Sequence, residues 1–355
     1  MEPTRTREYW ADMLKLLASF LVILGHALEN DIIEGCQFVD FQNPLCLYIY
    51  SFHMPLFMIL AGYFSGSILR GKINITRRFR QLIIPCILLA IFPMIFGWHM
   101  PMWFLKSLFL CYAITALSVK YLMRKHFLWV GIILCTLFIL LAPVISITPI
   151  IFVGKLDFML PFFVLGVLLN NKKEWLFNRW SLIISGILAI ICLYLWNTDY
   201  VWYHSSANYF SVVKALRDGN YTFDAYNLWC CTIRFITGAS VSIFLMSALK
   251  MAYGNPPSRT GWHILEDTQS STSLSTLGKY SMHIYILQTF FVEQNILGIS
   301  YIPCSPTIYT YVLIPLISIG MFILCIITAI LFERITIINA LLFGNKESQN
   351  KLFRH

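Results

Sequence analysis

Two ionisable residues, Lys15 and His26, lie eleven positions apart in the first long apolar segment of the chain, residues 11–28. In an α-helix this separation corresponds to about three turns, roughly 16 Å of rise and about 20° of rotation, so both side chains share one face. An ionisable group inside a membrane span is costly unless it faces protein or water. An imidazole can also act as a general base near neutral pH. The pair therefore predicts a polar path with catalytic capacity along the first helix.

The composition indicates that lipid surrounds the helices that must position this pair. Hydrophobic residues make up 58% of the chain, charged residues only 12%, and the mean hydropathy is +0.70. A water-soluble protein of this composition would expose large apolar patches. We expect an all-α, polytopic membrane protein with a single domain over residues 1–355. Its transmembrane helices, about ten in number, are predicted at about 11–28, 44–66, 81–97, 102–119, 127–142, 156–170, 180–196, 228–249, 280–298 and 309–332.

The distribution of Lys and Arg predicts the orientation of these spans. Most of the 26 basic residues fall in segments that share one side of the membrane, which the positive-inside rule assigns to the cytoplasm. Both termini are then cytoplasmic. The net charge of +9 follows from this asymmetry and from contact with anionic membrane lipids, so it does not indicate a nucleic-acid partner. The ten cysteines follow no metal-binding spacing, and we expect no metal site.

Several polar residues are predicted near the outer ends of their helices, where they could line one chamber. They are His26, His53, Trp103, Lys106 and Arg234. The alternative for His53 and Lys106 is an ordinary helix-end position with the polar group reaching the interface. Lys15 also has an alternative, because Asp12 three residues earlier can form a local ion pair with it at the inner interface.

A basic segment on the predicted inner face, residues 71–80, contains Lys72, Arg77, Arg78 and Arg80 and no acidic residue. One interpretation is a loop whose charge only sets the topology. The other is a binding site for a cytoplasmic ligand with phosphate groups, because guanidinium groups bind phosphate oxygens in a bidentate manner.

Five short motifs in order resemble the acyltransferase family 3 membrane proteins. The first helix of that family has a basic residue, ten intervening residues and a histidine, as Lys15 and His26 do here, although arginine is commoner at the first position. The other four motifs are FHMPLF at 52–57 with AGY at 61–63, RRFR at 77–80 with LIIP at 82–85, WFL at 103–105, and GKYS at 278–281 with YIL at 285–287. Ala61 replaces a usual serine. Gln288 stands where a histidine is frequent, which argues against a required acid/base role at that position.

The resemblance implies transfer of an acyl group, usually acetyl from cytoplasmic acetyl-CoA, to a hydroxyl of an extracytoplasmic or lipid-linked carbohydrate. His26 would be the catalytic residue. Lys15 would contact the donor within the membrane, and Arg77, Arg78 and Arg80 would bind it at the cytoplasmic entrance. The bacterial cytoplasmic membrane is the expected location.

The chemistry at His26 has alternatives that the sequence leaves open. His26 would act as a general base or carry a transient acyl group, and Lys106 or Arg234 would stabilise the oxyanion. A transporter or flippase of a lipid-linked sugar also needs a polar path and is the alternative function.

Overall fold

The computed structural model describes residues 8–29, 43–97, 102–121, 131, 156–201, 225–253, 277–299 and 304–344. Within these ranges the chain is helical and contains no strand, which confirms the all-α prediction. The α-helices are α1 (Tyr9–Glu29), α2 (Pro44–Phe64), α3 (Ile75–Leu89), α4 (Ile91–Phe96), α5 (Trp103–Tyr121), α6 (Leu156–Asn171), α7 (Lys173–Leu176), α8 (Arg179–Leu195), α9 (Ala225–Tyr253), α10 (Ser281–Gln288), α11 (Pro306–Ile308), α12 (Ile314–Glu333) and α13 (Thr336–Leu341). The 3₁₀ segments are Gly66–Arg70, Thr198–Tyr200 and Leu277–Tyr280, and the π segments are Thr289–Glu293 and Tyr309–Leu313.

The apolar helices identify a membrane protein. Among the described residues, five helical stretches are long and apolar enough to cross a bilayer: Tyr9–Leu28, Pro44–Arg70, Trp103–Tyr121, Trp229–Tyr253 and Pro306–Glu333. Two shorter apolar helices span Phe158–Asn171 and Arg179–Leu195. The predicted span 127–142 lies outside the described residues apart from residue 131. The total of about ten spans and the sidedness of the termini remain predictions.

Two predicted spans have different bounds in the structure. The third begins at Ile75 rather than residue 81, because the Asn74 side chain caps it by accepting a hydrogen bond from the backbone N–H of Arg77 at 3.0 Å. The arginines that we predicted in a loop therefore lie in the first turns of a helix. The ninth predicted span, 280–298, ends at Glu293 after a π turn.

Close backbone contact fixes α2 against α6. A Cβ atom on Gly62 would lie 2.1 Å from the carbonyl oxygen of Phe163, and a Cβ atom on Gly166 would lie 2.1 Å from that of Ile59. Small residues at such crossings allow the van der Waals contact that holds helices together in lipid. The α1 helix packs against α2, α9, α10 and α12, so protein surrounds the face that carries Lys15 and His26.

Aromatic and basic side chains gather at the end of the bundle where α1 begins and α2 and α9 end. The Trp10 ring contacts the rings of Tyr63 and Phe177 at centroid distances of 5.7 and 5.4 Å. Lys250 lies over the Trp10 ring and Lys173 over the Tyr63 ring, at 6.0 and 5.4 Å. We call this the basic end of the bundle. The segments that the charge distribution assigned to one side therefore meet at one end of the structure.

We predict that Gly62→Ala destabilises the protein, because the new methyl group would overlap the α6 backbone. Overpacking of this kind typically costs about 1–3 kcal/mol. The matched control is Gly320→Ala, since a Cβ atom at Gly320 meets no atom within 4 Å. Thermal unfolding of the detergent-solubilised protein should show a lower midpoint for Gly62→Ala only. Equal midpoints would contradict the close contact.

Candidate functional site

A cavity of about 270 Å³ opens among α1, α2, α3, α5, α6 and α10. Most of its wall is apolar and includes Leu60, Phe64 and Leu108. Six lining residues carry polar groups: Lys15, Ser65, Arg78, Tyr112, Ser281 and Tyr285. The cavity therefore combines an apolar interior with two cations, an arrangement suited to a slender ligand that ends in an anionic group.

Lys15 belongs both to a local ion pair and to this cavity. Its Nζ lies 3.0 Å from Oδ1 of Asp12, whose side chain is buried, and 4.8 Å from the centroid of the Phe64 ring. The predicted Asp12–Lys15 pair is thus present. Because Lys15 also lines the cavity, its position is not explained by an anchoring role at the membrane interface alone.

Arg78 is the member of the basic segment that lines the cavity, whereas Arg77 and Arg80 are exposed. Helical periodicity explains the difference, because Arg78 shares a face with Leu82, four residues later, which also lines the cavity. The Arg78 guanidinium lies 5.2 Å from the centroid of the Tyr112 ring. The Tyr112 hydroxyl in turn accepts a hydrogen bond from the backbone N–H of Asn74 at 3.1 Å, which ties the start of α3 to α5.

His26 faces a carboxylate that the sequence did not reveal. Its Nε2 lies 3.6 Å from Oε1 of Glu293, and both side chains are largely buried. This is an ion-pair distance rather than a hydrogen bond, and such contacts often tighten when substrate binds. A carboxylate beside the ring favours the imidazolium that forms when the ring takes a proton. An imidazole beside a carboxylate has the chemistry to act as a general base with an acidic partner.

A π turn brings Glu293 to this position. In a continuous α-helix, Gln288 and Glu293 would point about 140° apart. Residues Thr289–Glu293 instead form a π turn, with the backbone N–H of Gln294 bonded to the carbonyl of Thr289 at 3.0 Å. The Gln288 Nε2 then donates to Glu293 Oε1 at 2.9 Å. Single π turns inside helices are frequent at functional sites.

The other predicted residues lie elsewhere, in the half of the bundle away from the basic end. His53 is buried, and its Nδ1 lies 2.7 Å from the carbonyl oxygen of Ile49, to which it can donate. Its ring contacts Tyr50, and a Cβ atom on Gly25, the neighbour of His26, would lie 3.1 Å from Tyr50. His53 is thus close to the helix turn that carries His26.

Arg234 is 3% exposed and donates from Nε to the carbonyl of Tyr200 at 2.6 Å and from Nη2 to that of Asp199 at 3.3 Å. This geometry favours a structural role in holding the 198–200 turn. Trp103 and Lys106 are half-buried on α5 and are not among the cavity-lining residues.

Three contacting aromatic rings line the end of the cavity that faces away from the basic end. Phe57, Phe104 and Tyr285 are the cavity-lining residues farthest from the basic end on α2, α5 and α10 respectively. Phe104 contacts both of the others, at centroid distances of 5.7 Å to Phe57 and 5.5 Å to Tyr285. Beyond Tyr285 the same helix continues to Gln288 and Glu293. These three rings, which we call the aromatic partition, therefore form the cavity wall on the side of α10 that leads to Glu293.

A membrane bundle with a buried His–Glu pair and a cationic cavity matches one known family over most of the chain. The sequence profile of the acyltransferase 3 family, described as an acyltransferase domain, matches residues 8–334. The chain belongs to this family.

Two curated relatives are both described as "Nodulation protein NolL". The protein from Mesorhizobium japonicum is 28% identical over 235 residues, which are 57% of this chain and 60% of the relative. The protein from Sinorhizobium fredii is 28% identical over 230 residues, which are 56% and 60% of the two chains. The matched region thus spans about three fifths of these relatives. No solved structure matches the chain significantly.

We predict that filling the cavity blocks acyltransferase activity without unfolding the protein. Ala61→Phe places a ring in the empty space and should lower activity more than about 10-fold while the unfolding midpoint changes little. The control is Ala116→Phe on α5, where the alanine is fully buried and the larger side chain should cost about 1–3 kcal/mol of stability. Full activity of a folded Ala61→Phe variant would exclude the cavity from the reaction.

Proposed function

We propose that the protein transfers an acyl group, most simply acetyl, from an acyl-CoA at the basic end to a hydroxyl of a glycan at the opposite end. The observation that carries the proposal is the placement of the cavity and the His26–Glu293 pair along one face of α1. Lys15 lies in the cavity, while His26, about three turns farther along the helix, lies beside Glu293. The basic end is then cytoplasmic, and the membrane is the bacterial cytoplasmic membrane.

The cavity supports the donor part of the proposal. Its volume of about 270 Å³ is near the lower limit for ligand pockets, so it can accept a narrow arm but not a whole nucleotide. The pantetheine arm would lie among the apolar walls, with Arg78 and Lys15 near its phosphate-bearing end. The nucleotide would remain outside, near the exposed Arg77 and Arg80.

The chemistry follows from the His26–Glu293 pair. His26 takes the proton of the glycan hydroxyl, the oxygen attacks the thioester carbonyl carbon, and a tetrahedral oxyanion forms. As the C–S bond breaks, the imidazolium returns its proton to the CoA sulfur, so an ester and free CoA leave the site. Glu293 stabilises the imidazolium between these two steps. Lys106 is our candidate for stabilising the oxyanion.

The aromatic partition adds a requirement to this mechanism. In the proposed mechanism, the thioester passes Phe57, Phe104 and Tyr285 on its way from the cavity to His26, and one of these rings moves to let it through. A closed partition would also keep water on the glycan side away from the thioester, which limits hydrolysis of the donor.

The first experiment tests transfer itself with purified protein in proteoliposomes, labelled acetyl-CoA and a glycan-lipid fraction. Labelled glycan should form, and His26→Ala should lower kcat by about 10²–10⁴-fold, the usual contribution of a general base. Glu293→Gln should also lower kcat and leave the KM for acetyl-CoA near its wild-type value. The control Glu174→Gln changes an exposed carboxylate and should have no effect. Movement of glycan across the membrane without label incorporation would instead indicate a transporter.

A second experiment separates the arginines of α3. In sealed, oriented vesicles, acetyl-CoA should support transfer only from the face that carries Arg78. Arg78→Ala should raise the KM for acetyl-CoA about 10-fold, because a hydrogen bond to a charged group is lost. Arg80→Ala should raise it less, since that side chain is exposed and its contact is screened by salt. Equal effects of the two substitutions, or equal use of acetyl-CoA from both faces, would count against the cavity as the donor site.

A further inference from the structure

Gln288 combines nearly complete burial with an incomplete set of hydrogen bonds. Its side chain is 1% exposed, and its Oε1 has no hydrogen-bond partner within the described part of the chain. A buried polar atom without a partner destabilises the folded protein. In a helix otherwise lined with Ile284, Ile286 and Leu287, an apolar residue would avoid this cost. The position therefore requires an explanation other than stability.

The amide nitrogen of Gln288 supplies that explanation. Nε2 lies 2.9 Å from Oε1 of Glu293 and 3.3 Å from Oγ1 of Thr289. An ionised carboxylate only accepts hydrogen bonds, so the nitrogen of the amide, not its oxygen, must face Glu293. The Thr289 hydroxyl points toward the carbonyl of Tyr285 at 3.5 Å and accepts from the second amide N–H of Gln288. These bonds give the amide a single orientation.

The oxygen that Gln288 contacts is the one that faces His26. Oε1 of Glu293 is 2.9 Å from the amide nitrogen and 3.6 Å from Nε2 of His26. Gln288 and His26 thus contact the same carboxylate oxygen, and Gln288 belongs to the helix that also carries Tyr285 of the aromatic partition. The π turn is what allows residues five apart to make this contact.

We infer that Gln288 is a positioning residue that holds the Glu293 carboxylate in the correct orientation against His26. The inference rests on the proposed function, because it assigns His26 as the base. A glutamine donates the same N–H groups at every pH, so the support it gives Glu293 does not depend on a protonation state of its own. This differs from the acid/base role that a histidine at this position could have.

Four variants test this role. Gln288→Leu removes the donor, and kcat should fall about 10-fold while the KM for acetyl-CoA stays within about 2-fold. Gln288→Glu preserves the shape but places a second acceptor against Glu293, and it should lower kcat at least as much. Gln288→His restores an N–H donor and should recover most of the activity. Thr115→Val is the control. It removes a hydroxyl that, like the amide oxygen of Gln288, is buried without a partner in the described residues, and it should leave kcat unchanged.

A double-mutant cycle separates positioning from simple packing. If Gln288 acts through Glu293, then Gln288→Leu should change kcat less than about 2-fold in a Glu293→Gln background. Additive losses, a lowered unfolding midpoint that tracks the loss of activity, or failure of Gln288→His to restore activity would overturn the inference. A wild-type protein that transfers no acetyl group would overturn the proposed function together with it. Transfer by the wild type that is unaffected by Gln288→Leu would overturn the inference alone.

Discussion

The cost of holding ionisable groups within a lipid-embedded bundle organises this structure. Asp12, Lys15 and His26 all lie on α1, and a charged side chain exposed to hydrocarbon would be strongly disfavoured. The protein meets this constraint by surrounding α1 with α2, α9, α10 and α12, and by giving each charged group a partner. Asp12 pairs with Lys15 near the basic end, and Glu293 faces His26 farther along. Each helix that packs directly against α1 contributes a wall, and the π turn after α10 also contributes the partner Glu293.

Features that repeat with the period of an α-helix could be predicted from the sequence. The apolar runs identified the helices, and the eleven-residue separation of Lys15 and His26 placed both on one face. The family that the motifs indicated is also confirmed, by the match over residues 8–334. The sequence did not separate Arg78 from Arg80, because both are followed four residues later by an apolar residue, Leu82 and Ile84 respectively. The difference depends on which face of α3 meets the cavity, and that is seen only in the structure.

Other features had no periodic signal. Glu293 was not predicted as a site residue, because α-helical spacing places it on the opposite side of its helix from Gln288. The π turn that brings the two side chains together has no signal in the residue pattern. The cavity is the space that side chains from six helices leave unfilled. The residue pattern of a single helix does not predict such a space. Arg234 was predicted from the sequence to line a chamber near the outer end of its helix. Its carbonyl partners on residues 199 and 200 come from a turn more than thirty positions earlier.

The contact between Gly62 and Gly166 also restricts which parts of the protein can move. With no space between the two backbones, α2 and α6 form a rigid pair, and Phe163 and Ala61 on the cavity wall are fixed with it. Any widening of the passage toward His26 must then come from the opposite wall, formed by α5 and α10. The α10 helix is short, and its π turn leaves it less regularly bonded than its neighbours. The α2–α6 wall of the cavity is thus a fixed surface, and we expect the wall formed by α5 and α10 to be the one that changes shape.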